Sequence, residues 1–412
     1  MNIAMMTNNY KPFIGGVPIS VERLAEGLRR KGHQVTIFAP DFEGAKDEVD
    51  VVRYRTFYRK PEKGIMVGTC LDPKIRRAFK EKRFDVIHVH HPIPAGEAAL
   101  RLGEKYSIPV VYTYHTRYEE YLHHLLPLRG RVLSRCMKEI LVPEYLTAFM
   151  NRCDLVISPT AKMKEYLEEQ NVKTDIAVLP TGLDQGSFVW DSRRTQEIRS
   201  EHGKGRPWLF ATTARLEKEK NLSFLLRGVA ELKRLIGPCF RVMVIGNGSE
   251  AEPLRRQAAE LGIEEEVVFT GAVPNTEVRH YLHAADAFLF ASKSETQGIV
   301  LLEAMAAGCP VVAVKASGVV DVVRSGENGF MTGESEADWA EAAARLTREP
   351  QLIRRLSGGA KDTASLYRAE EIAARAAYQY QRLIEKREEA FVYGETGRTL
   401  SVQSLLRLFE TA

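Results

Sequence analysis

The chain has 412 residues, of which 44% are hydrophobic and 27% are charged. This composition is typical of a folded protein with two or three domains and excludes disorder as the main state. The 58 Lys and Arg residues against 54 Asp and Glu residues give a net charge of +4, too weakly basic to indicate nucleic acid as the partner. The 5 cysteines include no CxxC pair, so we expect neither a disulfide framework nor a zinc site.

The cysteines, the first residues and the apolar runs predict the cellular location of the protein. Scattered, unpaired cysteines fit a reducing compartment. The opening residues, MNIAMMTNNYKPF, lack the basic and apolar regions of a signal peptide. No apolar run approaches the roughly 20 residues that a membrane span needs. We therefore expect a cytoplasmic protein, with peripheral attachment to the inner face of the cell membrane left open.

Short β-branched apolar runs alternate with longer amphipathic stretches up to about residue 180. The first such stretch, residues 17–31, repeats its apolar residues every three to four positions, as a helix does. This alternation predicts a parallel sheet with helices on both faces. The predicted strands are 3–6, 34–38, 85–90, 110–114, 155–158 and 176–179.

A Pro/Gly/Ser-containing stretch, residues 180–187, interrupts the pattern and is the predicted linker. The alternation then resumes, so the sequence predicts an α/β protein with two domains, residues 1–180 and 181–390. Beyond residue 336 we expect helix to about 389, broken near Gly358 and Gly359, and a last amphipathic pattern over 401–409. The second set of predicted strands is 209–213, 241–245, 267–270, 287–290 and 310–314.

Two charged or glycine-rich motifs follow predicted strands. Gly15 and Gly16 open the first helix, where backbone N–H groups can approach a phosphate, although a structural turn explains such a pair equally well. Arg215 and Lys220 follow the strand at 209–213, at the sheet edge where ligands bind in open α/β folds. Together they can clamp a diphosphate, whereas the alternative interpretation is a solvated charged loop.

A third motif, SETQGIVLLE, follows the strand at 287–290. If a helix begins near Gly298, Glu295 precedes it and Glu303 lies in its second turn. The backbone amides of Gln297, Gly298 and Ile299 then point out of the helix N-terminus. Carboxylates accept from sugar hydroxyls and amides donate to phosphate, so the motif suits a phosphorylated sugar ligand. Taken separately, each glutamate is more often a helix cap or a helix-surface charge.

Taken in order, these motifs resemble the retaining glycosyltransferases of family 4. The order and spacing of three motifs match those of the family over nearly the whole chain. The motifs are the Gly15-Gly16 loop, the Arg215/Lys220 pair and the Glu295-x7-Glu303 pattern. The resemblance implies a GT-B fold, with two Rossmann-like domains whose parallel sheets face an interdomain cleft. It also implies that a C-terminal helix, residues 391–412, crosses back to the N-terminal domain.

The resemblance implies a nucleotide-sugar site in the cleft. Arg215 and Lys220 bind the diphosphate, Gly16 closes over it, and Glu303 holds the ribose hydroxyls. Glu295 holds the transferred sugar, with the amides of residues 297–299 around sugar and phosphate. The loop containing Val273 contacts the base.

His115 ends the strand at 110–114 and so faces the same cleft. A lone histidine there is more often structural, but the family places one beside the transferred sugar. The cations at Arg215 and Lys220 stabilise the leaving diphosphate in a closed cleft. No cofactor is expected, and no metal, because the chain has no DxD and Arg and Lys can supply the charge.

The basic excess lies in the N-terminal half. Residues 1–180 carry 28 Lys and Arg against 22 Asp and Glu, a net +6, and the rest carries −2. Basic and apolar residues interleave over 125–141, as in a helix at an anionic membrane surface or in an ordinary half-buried helix. The acceptor or membrane candidates are Tyr118, Arg129, Arg131, Arg135 and Lys138.

The segments at 114–124 and 294–298 together resemble the subgroup that glucosylates diacylglycerol. This implies transfer of a hexose, with UDP-glucose as the expected donor, to a membrane lipid. The alternatives are a family member with a soluble acceptor, such as a sugar phosphate, inositol phosphate or malate, and a nucleotide-sugar epimerase or non-catalytic binding protein on the same scaffold.

Overall fold

The computed structural model describes residues 1–13, 15–42, 45, 48–60, 65–68, 72–115, 142–295 and 297–396. They form two parallel sheets, each covered by helices. In chain order the strands are β1 Asn2–Met6, β2 Gln34–Pro40, β3 Val51–Tyr54, β4 Thr56–Lys60, β5 Ile65–Gly68, β6 Val86–Val89, β7 Val110–Thr113, β8 Leu155–Ser158, β9 Ile176–Val178, β10 Trp208–Thr213, β11 Phe240–Ile245, β12 Val267–Gly271, β13 Ala287–Phe290, β14 Val311–Val314 and β15 Gly329–Thr332.

The helices lie between these strands and after the last of them. They are α1 Gly16–Arg30, α2 Pro73–Glu81, α3 Glu97–Tyr106, α4 Val142–Met150, α5 Ala161–Glu169, α6 Ser192–Gly203, α7 Leu222–Ile236, α8 Ala251–Glu260, α9 Asn275–Ala284, α10 Ile299–Ala306, α11 Glu336–Arg348, α12 Pro350–Ser365 and α13 Ala369–Thr396.

The first sheet has 7 strands in the order β3-β2-β1-β6-β7-β8-β9, and the second has 6 in the order β12-β11-β10-β13-β14-β15. The paired strands of both sheets are parallel. In each sheet the order reverses between two neighbours, β1 and β6 in the first and β10 and β13 in the second. The predicted α/β class with two Rossmann-like sheets is confirmed.

The sequence missed the outer strands β3 and β15 and the antiparallel pair β4-β5. β3 and β15 have four residues each and lie at sheet edges, so their apolar runs are short and their burial is partial. The expected break near Gly358 was wrong. α12 runs through both glycines. The helix breaks instead at Glu349, before Pro350 starts α12, and at residues 366–368, before α13.

Each sheet separates two apolar layers because its strands are buried on both faces. In the first sheet Ile3 and Met5 face α1, whereas Ala4 and Met6 face the layer of α2, α3 and α4. α2 carries the basic residues Lys74, Arg76, Arg77 and Lys80, yet Ile75 and Phe79 bury its other face in the core. It is therefore an ordinary half-buried helix with one charged face.

The chain returns to the first sheet at α13. Its residues Ile372, Ala373, Ala376 and Tyr380 are buried in the layer that α1 forms on that sheet. Just before the return, the Leu183 amide donates to the Tyr367 carbonyl at 2.7 Å and the Ala369 amide donates to the Leu183 carbonyl at 2.8 Å. Of the predicted helix over 391–412, residues 391–396 end α13 and the rest lies outside the described residues.

Substituting Gly27 by Ala tests the contact between α1 and α13. A Cβ at Gly27 would lie 2.8 Å from the Ala373 Cβ and 2.9 Å from the Ala369 carbonyl oxygen. Overpacking costs about 1–3 kcal/mol, and the better helix propensity of Ala returns up to about 1 kcal/mol. We expect Gly27→Ala to lower the free energy of unfolding by about 1–2 kcal/mol in urea titrations.

Gly358→Ala is the matched control, because Gly358 lies within α12 and its added Cβ would meet no atom within 4 Å. Here only the propensity acts, so this variant should gain up to about 1 kcal/mol. Equal stabilities for the two variants would show that α13 does not pack closely on α1.

Candidate functional site

The carboxyl ends of the central strands bring the predicted residues to two facing sheet edges. In open α/β sheets ligands bind outside these ends, where the strand order reverses. Gly15 and Gly16 follow β1, and His115 follows β7, beside His90, which was not predicted and follows β6. In the second sheet Arg215 and Lys220 follow β10, and Glu295 follows β13. The predicted residues therefore occupy the ligand-binding edge of each sheet.

Lys220 and Glu295 form a close ion pair. The Lys220 Nζ lies 2.6 Å from the Glu295 Oε1, and the side chains are only 14% and 20% exposed. The Ser292 hydroxyl donates to the same carboxylate oxygen at 3.1 Å. Lys220 ends a 3-10 turn, Lys218–Lys220, directly before α7. The pair places a cation and a hydroxyl-accepting carboxylate side by side at the sheet edge.

Arg215 lies on the same loop but outside this pair. Its side chain is 65% exposed, and its Nη2 contacts the Glu219 carboxylate at 3.2 Å. The Leu216 amide of the same loop donates to the Asn247 carbonyl at 3.0 Å. A Cβ at Gly246 would lie 1.9 Å from the Ala214 carbonyl oxygen, so only glycine allows this approach. The sequence signal for this support was the GNG motif after β11.

The helix of the SETQGIVLLE motif begins where the sequence predicted. Gly298 has φ +68° and caps α10, which begins at Ile299 and contains Glu303. Glycine suits this left-handed conformation. The Gln297 side chain, for which the sequence made no prediction, binds the linker. Its Oε1 accepts from the Thr181 amide at 2.7 Å and its Nε2 donates to the Thr181 carbonyl at 3.0 Å. It therefore ties the site to the interdomain linker.

Glu303 meets the other domain. The Arg23 Nη2 lies 2.8 Å from the Glu303 Oε1 and 3.0 Å from the Asp184 Oδ2. The Arg23 Nη1 also donates to the Gly182 carbonyl at 3.3 Å. Burial alone would lower the pKa of Arg23, but the carboxylates of Glu303 and Asp184 outweigh it and raise that pKa. Arg23 thus links α1, the linker and α10, a tie that the sequence did not reveal.

The glycine loop and the predicted base-contacting loop lie at these edges as well. Gly15 precedes α1 and Gly16 is its first residue, with open space within 4 Å of an added Cβ at Gly16. Arg23 follows Gly16 by two helical turns and so shares its face of α1. Val273 follows β12, is partly buried against the second sheet, and precedes the start of α9 at Asn275.

His115 belongs to a buried group of histidines. The His90 Nδ1 lies 2.9 Å from the His115 Nε2, and the His88 and His90 rings are 4.2 Å apart. Burial lowers the pKa of His88 to about 3 and that of His91 to about 4. Burial, followed by neighbouring histidines, holds the pKa values of His90 and His115 well below the usual value. All four imidazoles are therefore neutral at pH 7.

Comparisons with known proteins agree with this arrangement. The family model described as glycosyl transferases group 1 matches residues 194–363, and that described as glycosyltransferase family 4 matches residues 14–186. The alpha-monoglucosyldiacylglycerol synthase of Streptococcus pneumoniae is 30% identical over 326 residues, which cover 76% of this chain and 71% of the relative. The chain belongs to glycosyltransferase family 4.

Two further proteins resemble this glycosyltransferase over more of its length. The alpha-monoglucosyldiacylglycerol synthase of Acholeplasma laidlawii is 29% identical over 395 residues, covering 94% of this chain and 98% of the relative. The crystal structure of Anabaena HepE in complex with UDP has a TM-score of 0.72 and 20% identity, and covers 93% of this chain and 100% of that one. The predicted GT-B fold is thus confirmed.

In the part of the glycosyltransferase that the structure describes, no helix is long and apolar enough to cross a membrane. Nor do those residues include a group of three or more His, Cys, Asp or Glu side chains that could hold a metal ion. The acceptor or membrane candidates Tyr118, Arg129, Arg131, Arg135 and Lys138 lie outside the described residues, and their role stays a prediction.

Proposed function

We propose that this glycosyltransferase moves glucose from a nucleotide diphosphate sugar, UDP-glucose, to the hydroxyl of a membrane lipid. The part-buried Lys220–Glu295 pair carries the proposal. It joins a cation for the donor diphosphate to a carboxylate for sugar hydroxyls at the edge where this fold binds ligands. The names of the two synthases, alpha-monoglucosyldiacylglycerol synthase, support a diacylglycerol acceptor.

The donor would lie across the edge of the second sheet. Lys220 and the exposed Arg215 contact its diphosphate, and Glu303 accepts hydrogen bonds from the ribose through the carboxylate that Arg23 holds. The backbone amides of Gly298 and Ile299 lie at the start of α10, whose partial positive charge favours sugar and phosphate oxygens. Gly16 approaches from the first domain, and Val273 lies next to the base.

Transfer would retain the anomeric configuration. The bond from the anomeric carbon to the phosphate oxygen breaks, and its electron pair leaves with the diphosphate. The acceptor oxygen bonds to the same face of the sugar, and its proton passes to the departing phosphate oxygen. Lys220 and Arg215 stabilise the charge that develops on the diphosphate, so the reaction would need no metal ion. Since Glu295 is ion-paired with Lys220, it suits sugar binding better than nucleophilic attack.

The lipid acceptor would reach the cleft from the N-terminal domain, which carries the basic excess. A basic surface attracts anionic lipid with about 1 kcal/mol per Lys or Arg residue. We therefore propose peripheral binding to the cytoplasmic leaflet through residues 118–138.

The test is incubation with radiolabelled UDP-glucose and liposomes that contain diacylglycerol, with and without anionic lipid. We expect an α-linked glucolipid, formed faster on anionic liposomes and unaffected by EDTA. Parallel reactions with inositol phosphate and glucose 6-phosphate test soluble acceptors. A glucosylated soluble product without glucolipid, or an epimerised donor, would overturn the lipid assignment. Loss of activity with EDTA, restored by Mg²⁺, would overturn metal independence.

A further inference from the structure

A row of buried polar groups lies behind His115 and is not used by the proposed mechanism. His88 and His90 are two residues apart, so their side chains lie on the same face of the first sheet. Thr113 and His115 have the same spacing and lie on that face as well. The His88 Nε2 lies 2.6 Å from the Thr113 hydroxyl, and its Nδ1 lies 2.7 Å from the Tyr380 hydroxyl of α13. The row ends at the contact of 2.9 Å between the His90 Nδ1 and the His115 Nε2.

The ring of His90 is held in place from both sides. Its centroid lies 4.2 Å from that of His88 and 5.2 Å from that of His115, which stacks on it. The His90 amide donates to the Met6 carbonyl at 2.9 Å, and the residue is 1% exposed. Reorienting this ring would disturb the packing on both sides, so its two nitrogens have fixed surroundings.

These surroundings decide where the protons lie. A neutral imidazole has one N–H donor and one acceptor nitrogen. Among the described residues, the His90 Nε2 is buried without a hydrogen-bond partner. Burying an N–H group without an acceptor costs more free energy than burying an unprotonated ring nitrogen without a donor. His90 therefore carries its proton at Nδ1 and donates it to the His115 Nε2.

We infer that His90 is a positioning residue that fixes His115 as its Nδ1–H tautomer. With its Nε2 accepting from His90, the neutral His115 carries its proton at Nδ1. A protonated ring nitrogen can donate to a hydroxyl oxygen of the transferred sugar, but it cannot take a proton from the acceptor hydroxyl. This inference rests on the proposed place of His115 beside the transferred sugar, and it leaves the departing phosphate as the base.

The tautomer can be measured without turnover. In ¹⁵N-histidine-labelled enzyme, long-range ¹H–¹⁵N spectra separate protonated from bare ring nitrogens, and the loss of one signal set in His115→Asn assigns His115. We expect a protonated Nδ1 and a bare Nε2 at pH 7.5. A protonated His115 Nε2 in the unmodified enzyme would overturn the inference.

Two variants of similar shape test the role of His90. His90→Asn keeps an amide N–H near the position of the imidazole Nδ1, whereas His90→Leu has the same branching without a donor. We expect His90→Leu to lose the fixed tautomer and to lower kcat about tenfold, with the KM for UDP-glucose little changed. His90→Asn should restore both. If His115 keeps its Nδ1–H in His90→Leu, the inference is wrong.

Loss of the fixed tautomer together with unchanged kcat in His90→Leu would contradict the proposed contact of His115 with the sugar. Failure of the inference and failure of the proposed function are therefore separate results. The spectra decide the first, and the rates decide the second.

Discussion

Lys220→Ala is expected to lower kcat by about a hundredfold or more, with the fold retained. The Lys220 ammonium is 14% exposed and lies 2.6 Å from Glu295, so its charge acts in a site with little water. Removing one preorganised group that stabilises developing charge costs about 10²–10³ in kcat. The substitution also leaves Glu295 with the Ser292 hydroxyl but without its cation, which adds negative charge beside the diphosphate. Steady-state kinetics with UDP-glucose and diacylglycerol liposomes measure the effect.

Lys293→Ala is the matched control for this experiment. Lys293 is close to Lys220 in the fold, but its side chain is 51% exposed and pairs with Glu334 at 2.8 Å. An exposed pair of this kind contributes about 0–1 kcal/mol to stability. We expect kcat and KM near those of the unmodified enzyme. If Lys220→Ala also retains near-normal turnover, the assigned diphosphate site is wrong.

Glu303→Ala is expected to lower transfer sharply at limiting donor, mainly by weakening donor binding. A hydrogen bond to a charged group contributes about 1.5–3 kcal/mol, so losing the ribose contacts should raise the donor Kd roughly tenfold or more. The variant also leaves Arg23, which is 11% exposed, with Asp184 as its carboxylate partner. Isothermal titration with UDP-glucose measures the change in Kd, and circular dichroism checks the fold.

A double-mutant cycle separates the two functions of this carboxylate. Arg23→Ala removes the interdomain tie but leaves Glu303 able to meet the ribose, so we expect a smaller rise in donor Kd than for Glu303→Ala. The unfolding free energies of the two single variants and the double variant should differ from additivity by about 1–2 kcal/mol. Additive stabilities would show that the contact of 2.8 Å between Arg23 and Glu303 does not link the domains.

The sequence predicted those parts of the fold and site that depend on local pattern. The apolar runs in the central strands, such as residues 209–211 of β10 and 287–290 of β13, are buried on both faces of the sheet. Once these strands were located, the residues that follow them had to lie at the carboxyl edges. This is why Lys220 and Glu295, 75 residues apart in the chain, could be expected at the same edge.

Pairings between the two domains left no local signal. Arg23 lies 280 residues before Glu303. In the sequence, an arginine in an amphipathic helix is as typical of a solvated surface charge as of an interdomain contact. His88 and Tyr380 are 292 residues apart, and Tyr380 reads in the sequence as one of several apolar positions on a long helix. Such contacts depend on how the second sheet and α13 sit against the first sheet. Residue spacing does not encode that arrangement.

Two segments of the chain pass between the sheets, one near residue 183 and one near residue 368. They have a practical consequence for the design of chimaeras that exchange the first domain. Since Leu183 is hydrogen-bonded to both Tyr367 and Ala369, the passages form one paired crossing. The buried face of α13 packs beside α1 on the first sheet, although α13 follows the whole second sheet in the chain. We propose that a chimaera that takes its acceptor half from a relative needs two splice points, one near residue 183 and one near 368. A single junction at the linker would join a foreign α1 to a native α13 and leave their interface mismatched.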